Sequence, residues 1–408
     1  MKKSIWYFSK YATPPGSAGN PRGFLLAEQF ADSGNLAVVI GSHSNHFSRT
    51  SQHDWSPFGR GFDQAVFSNV FFLLHRTFRY QKKASVRRVL SWFHFEWGLL
   101  RLDDRQLPSP THIIVSSLSL LSILNGYRFA RKYSARLVFE VRDIWPLTLE
   151  VERGMSRFHP FVALLRWVEK FGYDHSDLVI GTMPNLSAHV NRVTRRAVPV
   201  ETVPLGIDPD ISSQFPSYVP QKKQPGQLRV GYVGSIGETN AIGLLVEAAR
   251  LVGPSSGISF QFWGSGDLLE VYREKTRDDS NIQFHGPIPR EEIASTLSKV
   301  NVLTFAAQDS EIWDYGQSLN KVMEYMLAGR PIIGMYRGFP SMIDESGCGL
   351  FVDPNQPKEF AETIISLRDK SSAELDDIGL RGRTWLLERR NYKSLAERYV
   401  QLLGSVAE

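Results

Sequence analysis

The sequence predicts an α/β fold of two tandem domains, each a parallel sheet wrapped by helices. Three observations predict it. The chain has 408 residues, 42% of them apolar and 12% aromatic, which exceeds what one hydrophobic core usually supports and suggests two domains of about 200 residues each. Short apolar runs alternate with amphipathic stretches in both halves, the pattern of strands joined by crossover helices. Between the halves, SSQFPSYVPQKKQPG at 212–226 carries three prolines and no apolar periodicity, and reads as a linker or a boundary loop.

In the first half the strand-like runs fall at 5–8, 37–40, 112–116, 136–141, 178–181 and 198–203. The pattern restarts at 228–233 and continues at 259–263, 282–284, 300–305 and 331–335, with helix-like segments at 241–251 and 290–299 between them. The stretch 373–403 reads as largely helical. The expected division is a first domain at 1–205, a second at 206–385, and a terminal helix at 386–408 packing back on the first domain.

Net charge is +5, with an uneven distribution: residues 1–200 hold 26 Lys and Arg against 14 Asp and Glu, and residues 201–408 hold 21 against 28. A basic half fits an anionic membrane surface, a phosphorylated substrate or a nucleic acid, and the charge alone does not choose among them. The single cysteine, Cys348, excludes an intramolecular disulfide and a cysteine-rich metal site. The N-terminal MKKSIWYFSKYATPPGS has no apolar core of a secretory signal, and no window has the length and apolarity of a membrane span. The expected location is the cytoplasm.

Glycine turns after strands are the first chemical signal. The strand LRVGYV runs into Gly234-Ser235-Ile236-Gly237 just before an amphipathic stretch, and FWGSGD, containing Gly264, repeats the arrangement one strand later. Such turns let backbone N–H groups and a helix dipole approach a phosphate, although tight strand-to-helix turns also use glycine for steric reasons alone. After the first strand, Gly16 and Gly19 allow an unusual turn, and Arg22 opens the next helix. There Arg22 either steers a phosphate or is a solvated helix residue. The dinucleotide pattern G-x-G-x-x-G is missing, which counts against a dehydrogenase.

The segment SLNKVMEYMLAGRPII is the most informative. It sets Asn320, Lys321 and Glu324 on the first turns of a helix that follows Ser318 and Leu319. Free N–H groups and Lys321 suit a diphosphate, and Glu324 suits ribose hydroxyls.

Together, GSAGNPRG, FEVRDIWP, VPLGID, YVGSIG, FWGSGD and SLNKVMEYMLAGRPII, spread over nearly the whole chain, resemble the GT-B glycosyltransferases, specifically the retaining, family-four-like group with many O-antigen and capsule enzymes. The resemblance implies two Rossmann-like domains with parallel sheets facing across a cleft. It implies a nucleoside diphosphate sugar donor bound in the second domain, an acceptor presented by the first, and no metal or other cofactor. Carried over by position, Ser318, Leu319, Asn320 and Lys321 line the diphosphate and donor sugar, Glu324 holds the ribose, and Gly234, Ser235 and Gly264 back the phosphates. Gly19, Asn20 and Arg22 face the cleft, and Arg142 and Asp143 are the candidate polar groups of the reaction centre. Two positions depart from the pattern. Gly316 stands where many relatives have a glutamate, with Asp314 or Tyr315 as substitutes, and Glu238-Thr239-Asn240-Ala241 stands where many have an arginine and a lysine.

The expected reaction is transfer from a nucleoside diphosphate sugar, UDP by family frequency, to a lipid-diphosphate-linked or saccharide acceptor in surface polysaccharide biosynthesis. Asp208-Pro-Asp210 imitates a metal motif but reads as a turn, and no His and carboxylate cluster suggests a metal. Between 64 and 102, Arg76, Arg79, Lys82, Lys83, Arg87, Arg88 and Arg101 face one acid, Glu96, with Phe71, Phe72, Phe78, Tyr80, Trp92, Phe93, Phe95 and Trp97 interleaved. Residues 71–101 therefore read as a peripheral contact with the anionic inner face of the plasma membrane, against the plainer reading of a helix pair with a solvated basic face. Nucleic acid is not expected. The rival functions are a weak or inactive homologue acting as a binding subunit of a polysaccharide assembly complex, and a sugar-nucleotide epimerase on the same fold.

Overall fold

Runs that are apolar without alternation form strands covered on both faces, and these build the centre of each sheet. The computed structural model describes every residue except 1, 18, 45–53, 79, 81–85, 216, 221, 318 and 406–408. Arg79, Lys82, Lys83 and Ser318 thus lie outside the described residues. The chain divides into two units, one of residues 1–206 with 392–408 and one of residues 207–391.

The first unit contains β1 (Ser4–Phe8), β2 (Leu36–Ser42), β3 (Ser56–Gly59), β4 (Phe62–Phe67), β5 (Val70–His75), β6 (His112–Ser116), β7 (Arg136–Val141), β8 (Leu178–Gly181) and β9 (Val200–Thr202). Among the described residues they form one sheet in the order β3-β4-β5-β2-β1-β6-β7-β8-β9. From β5 to β9 every pairing is parallel, and β3 and β4 add an antiparallel edge. All five residues of β1 are buried, as a strand at the middle of a doubly wound sheet must be.

The helix Tyr392–Ser405 completes this unit. It packs on the helix Arg22–Asp32, with the rings of Phe30 and Tyr399 edge to face at 5.6 Å. His112 Nε2 lies 3.0 Å from the carbonyl of Leu403. The preceding helix, Ser372–Arg389, lies wholly in the second unit. The terminal stretch is therefore two helices broken at Arg390-Asn391, and the boundary expected at 386 falls between Asn391 and Tyr392.

The second unit holds β10 (Leu228–Val233), β11 (Ile258–Trp263), β12 (Ile282–Gly286), β13 (Val302–Ala306), β14 (Ile332–Met335) and β15 (Gly349–Val352). They pair in parallel in the order β12-β11-β10-β13-β14-β15. Strand order reverses beside β10, and ligands of such sheets bind outside the carboxyl ends of the strands at that point. The proline-rich stretch after Ser212 is not a free linker. Arg330 holds it by donating to Tyr218 Oη at 3.0 Å and to the Val219 carbonyl at 2.6 Å, and Tyr218 donates to Asp376.

Two expectations from the sequence are corrected. Arg22 is not a solvent-facing phosphate contact: it is 1% exposed, pairs with Glu140 at 3.2 Å, and donates to the carbonyls of Val203 and Pro204. An arginine can enter a core only with its donors matched in this way. The aromatics of 71–101 also divide. Phe72, Tyr80, Trp92 and Phe95 are buried, while Phe78, Phe93 and Trp97 are exposed.

Candidate active site

In the second unit the two glycine turns interlock. Gly234 N–H donates to the Trp263 carbonyl at 3.0 Å, Ile236 N–H to Ser265 at 2.9 Å, and Gly264 N–H to Gly286 at 2.8 Å. A Cβ on Gly264, whose φ is +148°, would lie 1.7 Å from the Gly234 carbonyl oxygen. Gly264, expected to back a phosphate, is therefore required by backbone packing, which holds the Gly234 turn in place. At Gly234 a Cβ would meet Tyr232 Oη at 2.7 Å and Lys321 Nζ at 3.5 Å. Ser235 is exposed, and its carbonyl accepts from Tyr232 Oη at 2.7 Å.

The helix Asn320–Leu327 starts with Leu319 in an extended conformation, no side chain capping its first turn and no acid within it. Its leading N–H groups and the positive end of its dipole point out of the helix start. Asn320 is exposed. Lys321 stands 5.2 Å over the ring of Tyr232 and donates to Tyr232 Oη at 3.4 Å and to Asn240 Oδ1. Desolvation lowers its ammonium to about 8, against the opposing pull of Glu324. Burial raises Glu324, countered first by Arg290 and then by Lys321. Lys321 is thus a dehydrated cation bonded only to neutral oxygens, beside a glycine turn and a helix start. That arrangement favours an incoming anion.

Several contributors were missed by the sequence reading. Tyr325 Oη accepts from Val233 N–H at 2.9 Å and donates to the Val233 carbonyl at 3.0 Å, clamping the end of β10 before the glycine turn. Arg290 lies 3.5 Å from Asp208 and is the leading charge acting on Glu324. Asp208 accepts from the Asp210 N–H at 3.0 Å, the turn expected for that motif. Gln317 is 6% exposed, and its amide oxygen and nitrogen have no partner among the described residues. This buried amide just ahead of the helix is a hydrogen-bonding group that the described residues leave unsatisfied.

The first unit presents a separate set. Asp143 follows β7; its side chain is open to solvent but ringed by protein, and this desolvation raises its carboxyl against the pull of Arg142. Ser117 Oγ accepts from the N–H groups of Arg142 and Asp143, at 3.0 and 3.4 Å. Asn20 pairs with Ala12 across the turn after β1, and Gly19 takes a φ of +143° there. Lys10, also past β1, is buried; desolvation and then Arg88 lower its ammonium to about 7, while Glu96 raises it. Among the described residues no group of three His, Cys, Asp or Glu could hold a metal, and no helix is long and apolar enough to cross a membrane.

Residues 227–370, the part containing both glycine turns and Lys321, match the family model described as glycosyl transferases group 1. Over that part the chain is similar to the group 1 glycosyltransferases, and its fold is of the GT-B type. No curated relative matches it. Among solved structures it is similar to the sucrose-phosphate synthase of Thermosynechococcus elongatus, at 16% identity over 99% of each chain with a TM-score of 0.67. It is also similar to the Anabaena protein HepE in complex with UDP and glucose, at 13% identity over 99% of this chain and 100% of that one, TM-score 0.63. An E. coli structure described as trehalose-6-phosphate bound with UDP-2-fluoro glucose is similar at 13% identity over 98% of each chain, TM-score 0.68. At such identities the likeness concerns the fold alone.

Proposed function

We propose that the protein is a retaining, metal-independent glycosyltransferase that moves a hexosyl or N-acetylhexosaminyl group from a UDP-sugar to a lipid-linked or saccharide acceptor in surface polysaccharide biosynthesis. One observation carries the donor half of this reading: Lys321, lowered to about 8 by desolvation, beside an uncapped helix start. A diphosphate there gains a charge-assisted hydrogen bond and the helix N–H groups, and relieves the lysine of its unpaired charge. The UDP and UDP-2-fluoro glucose named for HepE and the E. coli structure support UDP as the carrier.

In the proposed reaction the bond from the anomeric carbon to the diphosphate breaks as the acceptor oxygen bonds to the same face of that carbon. The acceptor proton passes to the departing diphosphate, whose growing charge Lys321 and the N–H groups stabilise. Leu319, Asn320 and Glu324 stand close enough along the helix to serve the sugar and ribose in this scheme.

The acceptor is proposed to lie at an anionic membrane surface. On the helix Val86–Leu100, the residues Val86, Leu90, Phe93, Trp97 and Leu100 recur every three or four positions and are exposed by 76, 51, 48, 57 and 51%. Glu96, the acid of this stretch, turns the other way and accepts from Ser122 Oγ at 2.6 Å and Asn125 Nδ2 at 2.8 Å. The outward stripe is therefore apolar and flanked by the exposed Arg87 and Arg101, which suits shallow insertion among anionic headgroups.

The test is a thermal-shift screen against UDP, GDP, their sugar conjugates and NAD, with and without a chelator. A ligand at a hundred times its Kd stabilises by about 2.7 kcal/mol. A shift with UDP that survives chelation and falls to about half or less in Lys321→Ala supports the donor site. No nucleotide shift, or one with NAD alone, overturns it, and UDP binding without turnover on any acceptor moves the reading to a binding subunit. Trp97→Glu abolishing co-sedimentation with anionic vesicles is expected for the membrane contact; unchanged sedimentation overturns it.

A further inference from the structure

We propose that the carboxyl ends of β1, β6 and β7 form a site for an oxyanion carried by a hydroxyl-rich acceptor, with Arg142 as the cation that pairs with it. The inference rests on the proposed transfer only for calling the ligand an acceptor.

The site is marked by buried polar atoms without partners. Among the described residues these include Ser9 Oγ, Thr13 Oγ1, Ser17 Oγ and Asn20 Nδ2 after β1, Ser116 Oγ at the end of β6, and Nε and Nη1 of Arg142 after β7. The three strands are neighbours in the sheet, in the order β1-β6-β7. Ser116 is in register with Glu140, two residues before Arg142. Each buried donor left unpaired costs about 1–3 kcal/mol, so a concentration of them at one edge of a sheet marks a place completed by something else. Hydroxyls, an amide and a guanidinium together match a sugar bearing a charged group.

The charge belongs to Arg142 because its protein neighbours leave its donors free. Glu140, whose carboxyl feels the field of Arg142, is the natural partner. Yet Glu140 is already held by Tyr7 Oη at 2.5 Å, by Arg22 at 3.2 and 3.3 Å and by Tyr399 Oη at 3.3 Å. Arg142 acts on Glu140, Tyr7 and Asp143 through its field, with Nε and Nη1 unbonded among the described residues. Its main chain is fixed: the N–H donates to Ser117 Oγ at 3.0 Å and the carbonyl accepts from Thr182 Oγ1 at 3.2 Å. A guanidinium offered from a fixed backbone, with donors on two of its edges unused, suits a ligand rich in acceptor oxygens, such as a phosphate or a carboxylate.

The experiment is calorimetric titration of the full chain with pyrophosphate, glucuronate and glucose, in saturating UDP and again in the Lys321→Ala variant. At least one anion is expected to bind the wild type and Lys321→Ala, glucose to bind more weakly, and Arg142→Gln to weaken the anion tenfold or more, with Arg142→Lys between. Preference for pyrophosphate identifies a phosphate-bearing acceptor, and preference for glucuronate an acidic sugar. Arg142→Lys, which keeps the charge that acts on Glu140, should melt near the wild-type temperature. Failure of both anions to bind, equal binding by Arg142→Gln, or loss of anion binding in Lys321→Ala as well overturns the proposal. So does a lowered melting temperature with lost binding in both Arg142 variants, which would assign the residue to the fold. Loss of UDP binding in Lys321→Ala speaks to the donor site alone.

Discussion

The guanidinium of Arg22 and the carboxylate of Glu140 lie 3.2 Å apart, with side chains 1% and 0% exposed. Glu140 also receives Tyr7 from β1 and Tyr399 from the C-terminal helix, so one carboxylate ties the first strand, the first helix and the last helix to β7. Removing one partner of a buried pair leaves the other charge uncompensated and typically destabilises by about 3–5 kcal/mol. Glu140→Gln is expected to lose that much. Tyr399→Phe, which removes a single hydrogen bond, should lose about 1 kcal/mol. Hydrogen exchange at the amides of Ser4–Phe8 in urea measures both; equal losses would show that the charge is not what holds the junction.

The same pair sets an acid limit. Burial alone would raise Glu140, but Arg22, then Arg142, and the hydrogen bonds from Tyr7 and Arg22 bring it below the ordinary range. A carboxylate lowered on folding contributes stability that is complete above its unfolded pKa, about 4.3, and is lost as pH falls through the lower folded value. Unfolding of the first unit is expected to ease below about pH 4, and the slope should shrink in Glu140→Gln. An unchanged slope would remove Glu140 from the acid transition.

Much of the sheet framework was legible because central parallel strands are apolar on both faces. His112–Ser116, Arg136–Val141, Leu178–Gly181 and Leu228–Val233 coincide with the runs expected at those positions. The edge hairpin was not legible: Ser56–Gly59 has a single buried residue and no apolar run. At the site, local features could be read and distant partners could not. Lys321 is marked by the helix that carries it, whereas Asn240 and Tyr232, which bond it, lie 81 and 89 residues away. Arg22 was misjudged for the same reason, because Glu140 is 118 residues from it.

Lys321 gives a pH prediction. Its ammonium is lowered to about 8, and the protonated form is the one that pairs with a diphosphate. UDP affinity is expected to be highest below pH 8 and to fall as pH rises through it, with proton uptake on binding near that pH. Lys321→Ala should bind UDP about 10–100-fold more weakly, the equivalent of one charge-assisted bond of about 1.5–3 kcal/mol, and should lose this pH dependence. Calorimetry in buffers of differing ionisation enthalpy measures the uptake; flat affinity from pH 7 to 9.5 in the wild type would count against the role.

Gly264 tests whether the glycine turns are interlocked by necessity. A Cβ 1.7 Å from the Gly234 oxygen at a φ of +148° cannot be accommodated by rotating a side chain, because the obstacle is backbone. Gly264→Ala is expected to destabilise the second unit by about 2 kcal/mol or more, within the range of overpacking and unfavourable backbone conformations, and to lower UDP affinity by moving the Gly234 turn. Gly253→Ala is the control: its φ is also positive, but nothing lies within 4 Å, so it carries the conformational penalty without the collision. A melting temperature equally lowered in both would show that the clash is relieved and only the backbone angle matters.

Gln317 separates binding of the nucleotide from recognition of the sugar. Its amide is buried with both polar atoms unpaired among the described residues, one position after Gly316 with its φ of +102°. A site built to hydrogen-bond a substrate hydroxyl rejects an analogue lacking it, because its own groups are then left unpaired. If Gln317 reads a donor-sugar hydroxyl, Gln317→Ala should leave UDP affinity within about twofold, as it is remote from charge pairing, and weaken binding of the matching UDP-sugar by about tenfold, near 1.4 kcal/mol. A panel of UDP-hexoses that differ at single hydroxyls then names the group: the deoxy analogue that binds wild type as poorly as Gln317→Ala binds the parent sugar identifies it. Gln317→Glu keeps an acceptor and loses the donor, so a variant that binds like Gln317→Ala places the function in the NH₂ group, and one that binds like wild type places it in the carbonyl. Equal loss of UDP and UDP-sugar in Gln317→Ala would assign the amide to the shape of the helix start instead.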